Sequence, residues 1–229
     1  VSATGSAMAE QLVAEVERLR VSEPVDNPLL TVPADAEQET ERLRRLVAVE
    51  ARAHAAELSA YGTVLSRFPR PPVADLCLTM GRVVHEAGPK LGRVADALGM
   101  RDPFSCHHPA AHGAFPFNAA LSHAAQAGNQ TAFGLAAHTD MAVYYPGCRA
   151  LVEQLRKRNA RVPEEFFAYF DDPGDEQLLD LAVTVVQDGL DRGDDPREAV
   201  LHARRVEEAI GEAWRTAAGG TTPLHMQQG

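Results

Sequence analysis

The chain reads as an all-α protein, and three observations predict that class. Apolar residues recur at steps of three and four through helix-length segments, prolines and glycines punctuate the segment ends, and no stretch alternates with the period of a strand. With 229 residues and 45% hydrophobic positions, one core suffices. A single domain over 8–217 is therefore expected, between small, polar termini at 1–7 and 219–229 that should be flexible.

Met8 to Val21 reads as a first amphipathic helix, and Glu23 to Pro33, with its prolines, as an extended connector. From Asp35 to Phe68 the residues Leu43, Val47, Glu50, His54, Leu58, Tyr61, Leu65 and Phe68 fall on one helical stripe. Pro69, Pro71 and Pro72 stop it. Val73 to Leu98 starts the next helix, through Leu76, Met80, Val84, Ala87, Leu91 and Val94, and Gly99 ends it. The two should pair as an antiparallel hairpin.

Met100 to Phe117, rich in Pro, His and small residues, is expected as a loop, and Asn118 to Gly128 as a short helix. A longer helix runs from Gln130 to about Asn159, with Phe133, Ala137, Met141, Tyr144, Cys148, Leu151 and Leu155 on one face. Pro146 inside it predicts a kink, because proline cannot donate to the carbonyl four residues back. Pro163 to Tyr169 and Asp175 to Leu190 complete the series with a last helix opened by Asp194, Asp195 and Pro196. Its inward face reads Val200, Ala203, Glu207, Ile210 and Trp214.

The formal charge of -10 argues against nucleic acid and against anionic membrane surfaces, both of which need a basic patch. A small polar metabolite is the expected partner. Cys77, Cys106 and Cys148 form no CxxC pair, so the reducing cytoplasm fits, and no apolar run reaches the length of a membrane span. The Ala- and Arg-rich usage points to a high-GC bacterial source as an expectation from composition alone.

Polar groups interrupt the faces that should be buried: Glu50 and His54, His85 and Glu86, Asp140 with Tyr144, and Glu207. Desolvating such groups is costly unless they are paired, so their convergence predicts a polar pocket inside the bundle. Glu50 and His54, four residues apart, offer a general base with an oriented imidazole, or alternatively a structural ion pair. Asp140 and Tyr144 offer an acceptor and a phenol within one turn, suited to a substrate amine. Glu207 either joins the pocket or lies on a solvated face beside Glu208. In the loop "CHHPAAH", Cys106, His107, His108 and His112 lack a second ligand cluster, so no metal is expected. His107 and His108 are read instead as contacts for an anionic substrate group, with Tyr61, Glu86 and one aromatic of the Phe166, Phe167, Tyr169, Phe170 cluster, Phe167, also lining the pocket.

The stretches "LRRLVAVEARAHAAELSAYGTVLSRFP", "VADLCLTMGRVVHEAGPKLGRVADALGM", "FNAALSHAAQAGNQTAFGLAAHTDMAVYY" and "ARRVEEAIGEAW" resemble the TenA and PqqC group of the haem-oxygenase-like superfamily. The resemblance covers roughly 40–217 and rests on helix order and spacing. It implies a TenA-like helical bundle that assembles as a homo-oligomer, with Glu50 and Glu207 matching acidic residues of the family's site. Where thiaminases of the group carry a nucleophilic cysteine this chain has Met141, whose thioether cannot form a thiolate. Di-iron relatives are matched at Glu50 and Glu86, but Pro89 stands where a histidine ligand is needed. The expectation is cofactor-independent acid/base chemistry by Glu50, His54 and Glu207 in specialised metabolism: elimination, intramolecular ring closure or hydrolysis. A di-iron oxidase-like enzyme and a non-catalytic binding homologue are the alternatives.

Overall fold

The computed structural model describes residues 6–104 and 108–220, and among these the regular elements are all helical. In chain order they are α1 (Ser6–Ser22), α2 (Pro28–Thr31), α3 (Ala36–Arg67), α4 (Val73–Ala97), a 3-10 turn (Pro109–Ala114), α5 (Phe115–Gln126), α6 (Gln130–Lys157), α7 (Glu164–Phe170), α8 (Glu176–Asp191) and α9 (Pro196–Ala217). Capping chemistry sets these limits. Asp35 Oδ1 accepts from the Glu37 and Gln38 amides at 3.0 and 2.9 Å, while Gln38 accepts in return from the Asp35 amide at 3.1 Å. Such a box satisfies amides that the first turn leaves open and is worth about 1 kcal/mol. Asn129 and Asp195 cap α6 and α9 without the reciprocal bond, accepting from the Ala132 and Arg197 amides at 2.7 and 2.9 Å.

The connector at 23–33 is not wholly extended, which corrects the sequence expectation. Asn27 accepts from the Leu29 amide at 3.2 Å, Pro28 takes the first helical position, and burial of Leu29 holds the short α2 in place. The loop at 100–117 likewise contains the 3-10 turn, and α5 starts at Phe115 rather than Asn118.

α3 and α4 form the expected antiparallel hairpin: Arg44, early in α3, donates from Nε to the Leu98 carbonyl at the end of α4, at 2.8 Å. α6 is the central element, packed on α8 and α9, and it continues helically through Pro146. Beside that proline, Gly147 lets the Trp214 ring of α9 lie against bare backbone, in space a Cβ would occupy. α1 closes the other side, where Ala9, Leu12 and Val16 pack with Ala132, Leu135, Val186, Ala199 and Ala203. No helix among the described residues is long and apolar enough to cross a membrane. The expectation of flexible termini falls largely on 1–5 and 221–229, outside the described residues; Ser6 already belongs to α1 and Gly219 follows α9 directly.

Candidate active site

A cavity of about 320 Å³ lies between α3, α4, α6, α7 and α9. One stripe of α3 supplies Glu50, His54, Glu57 and Tyr61, at successive steps of four, three and four. Asp140, Met141, Tyr144, Tyr145 and Cys148 come from α6, Tyr169 and Phe170 from α7, and Ile210 and Trp214 from α9. Polar groups thus converge within an apolar and aromatic wall, the composition of a small-molecule site.

At its centre is a hydrogen-bonded chain across two helices. The Tyr169 hydroxyl donates to Glu50 Oε1 at 3.1 Å, and its oxygen lies 2.9 Å from His54 Nε2. Since the phenol has one proton and Glu50 receives it, His54 Nε2 carries a hydrogen and donates to Tyr169. His54 Nε2 stands 3.6 Å from Glu50 itself, so Tyr169 is the bridge. The Glu50 side chain keeps only 12% of its surface open and His54 7%.

Two further carboxylates face the same space. Burial, and secondarily the charge of Glu50, pushes the Asp140 carboxyl up to about 7. Glu57 is held well above the usual carboxylate range by burial, then by Asp140 and Glu50. Burial also raises Tyr61, Tyr144 and Tyr169, so all three phenols remain donors at neutral pH. The buried hydroxyls of Tyr61 and Tyr144 form no well-aligned hydrogen bond, although Tyr61 faces Glu57 and Tyr144 faces Glu50 and Cys148. An orphaned donor in a cavity wall costs about 1–3 kcal/mol unless a ligand or water meets it. Cys148 is raised by burial and stays a thiol, unsuited to nucleophilic attack.

The structure brings Glu50, His54, Tyr61, Asp140 and Tyr144 together as the sequence predicted, and it places Glu86 on the cavity's exposed side with Lys90. It does not bring Glu207 there. Glu207 is fully buried, but Oε1 accepts from Arg20 Nε at 2.8 Å and Oε2 from Arg204 Nη1 at 2.9 Å, tying α1 to α9 away from the cavity lining. The shared-pocket expectation is corrected because an inward position on α9 faces α1 as well as the bundle centre. Phe167 is also corrected: it packs with Phe166 and beneath the Arg156 guanidinium, while its neighbours Tyr169 and Phe170 reach the cavity. His108 lies in a separate surface cleft with Arg52, His112, Phe115 and Asn118, its ring accepting from the Ala110 amide at 3.1 Å. His107 and Cys106 lie outside the described residues.

Sequence reasoning missed Glu57 and Tyr169. Glu57 had a signal, since it sits seven residues after Glu50, but Leu58 satisfied the apolar pattern equally well; Leu58 is in fact 43% exposed. Tyr169 was grouped with its aromatic neighbours, and nothing in their spacing singles out the phenol.

Among the described residues no three His, Cys, Asp or Glu side chains gather as a metal-holding group. Glu86 is exposed on α4 and Pro89 follows it, so the donor set does not fit the di-iron arrangement. No protein-family model and no curated protein matches the chain.

Proposed function

We propose that this protein is a small-molecule enzyme of haem-oxygenase-like, TenA-related architecture, performing acid/base chemistry in the central cavity. The Glu50–Tyr169–His54 chain carries the reading. Glu50 accepts a proton from the bound substrate, Tyr169 fixes the carboxylate's orientation through its hydroxyl, and His54 holds Tyr169 in the donating sense. Glu50, once protonated, returns that proton to the departing or newly formed group, so one carboxyl serves in turn as base and acid. Elimination, ring closure and hydrolysis can each proceed through such a shuttle in a largely water-excluding site.

Helix order and the acidic match at Glu50 support the TenA-like assignment; Glu207 has no part in this mechanism. The test uses polar metabolite extract from a high-GC bacterium, incubated with wild type, Glu50→Gln and Tyr169→Phe and profiled by mass spectrometry. Wild type should consume at least one metabolite that Glu50→Gln leaves untouched, with Tyr169→Phe slowed. Identical profiles for wild type and Glu50→Gln would sink the enzymatic reading.

A further inference from the structure

The cavity carries an imbalance that acid/base chemistry alone does not require. Glu50, Glu57, Asp140 and, nearer solvent, Glu86 and Asp172 face it. Against them the described lining offers one lysine and no arginine, and that lysine, Lys90, is exposed. Among the described residues neither Glu57 nor Asp140 has a hydrogen-bonded cation, in contrast to buried Glu207 with its two arginines. Two neighbouring carboxylates in a partly desolvated wall, beside the buried Tyr61 hydroxyl, which faces Glu57 without a well-aligned hydrogen bond, lack a positive group that a ligand would bring.

We propose that the ligand of this cavity is a primary or secondary ammonium compound with an apolar body, its charged nitrogen held between Glu57 and Asp140 and faced by Tyr61. The assignment rests on the central cavity being the substrate site, and it divides the labour within it. Glu57 and Asp140 hold the cation, and Glu50 with Tyr169 stands beside the rest of the molecule. Tyr61, Tyr145 and Trp214 present aromatic faces and edges that suit an alkylammonium and its hydrocarbon portion. A bound cation favours ionised carboxylates, so affinity should rise as pH passes upward through about 7, where free Asp140 begins to ionise. In that range simple alkylamines remain protonated.

Calorimetry or ligand-observed NMR with phenethylamine, tyramine and 1,4-diaminobutane tests this, each against its alcohol counterpart and against 3-phenylpropionate. At least one amine should bind roughly ten-fold more tightly than its alcohol, the value of one charge-assisted hydrogen bond. That preference should vanish in the Glu57→Gln, Asp140→Asn double variant and persist in Glu208→Gln, which removes an exposed carboxylate of α9 outside the cavity lining, all three proteins being checked for folding by circular dichroism. Four outcomes overturn the proposal: no amine exceeds its alcohol at millimolar concentration, 3-phenylpropionate binds best, the preference survives in the double variant, or stoichiometric Mn2+ uptake requires Glu57 and Asp140. Amine preference combined with unchanged extract profiles would refute the proton-transfer reading while leaving the ammonium site standing. Turnover without amine preference would do the reverse.

Discussion

Asparagine at position 140 should make the protein more stable at pH 8 than the native residue does. The Asp140 carboxyl is raised from 3.8 to about 7 in the folded protein, mainly by burial. Between those values the folded chain holds a proton that the unfolded chain has released, so folding stability falls as pH rises through the window and stays low above it. Three pH units at about 1.4 kcal/mol each set a ceiling of about 4 kcal/mol. Asparagine has nearly the same shape and no charge to bury. Urea unfolding of wild type and Asp140→Asn, at about pH 5 and about pH 8, should therefore show a stability difference that moves in the variant's favour by several kcal/mol at the higher pH. The Glu57 carboxyl, relieved of its charged neighbour, is raised less in the variant, which adds to the gain. A difference that is the same at both pH values, or that turns against the variant at the higher one, would refute the picture of a carboxylate held in an unfavourable site.

Glu207→Gln should destabilise the protein by about 3 kcal/mol, because Arg20 and Arg204 lose their shared partner, yet leave amine binding in the cavity unchanged. Loss of binding with unchanged stability would contradict its placement. His202, stacked on His123 with ring centroids 5.0 Å apart, is lowered from 6.5 to about 4 by burial, then by His123 and Arg205. Its contribution is present above pH 6.5 and lost as pH falls toward 4, so His202→Gln should flatten the acid limb by about 2 kcal/mol after solvent screening. An unchanged acid limb in a pH-dependent melting series would count against the pair. Gly147→Ala should push Trp214 out of its seat on α6 and cost about 1–3 kcal/mol, visible as a changed Trp fluorescence maximum together with a lowered melting temperature. An unshifted spectrum would mean that the ring does not rest there.

Helix limits were readable because caps and prolines act locally: Asp35, Asn129 and Pro196 stand where the helices begin. The polar face of α3 was readable at Glu50 and His54 for the same reason, since neighbours on one helix stripe need no tertiary information. Beyond that the pattern fails at particular residues. Glu57 and Leu58 both continue the stripe, and only the cavity explains why the carboxylate faces inward while the leucine meets solvent; a broken apolar rule marked the site. Glu207 illustrates the opposite limit. Periodicity left it between the pocket and a solvated face, and could not say that Arg20, 187 positions away, would meet it on the side facing α1. An inward-facing glutamate thus meets two different environments, a neutralised one at fully buried Glu207 and one without a hydrogen-bonded cation among the described residues at half-buried Glu57.

The Arg20–Glu207 contact also orders the events of folding. Its partners stand 187 positions apart, and α1 has its main docking surface on α8 and α9. A ribosome releases α1 well before α8 and α9, so that helix must wait, apolar edge uncovered, until its docking surface has been made. Closing so long a loop is an entropic cost met late, and the two arginines converging on one carboxylate act as the latch that ends the wait.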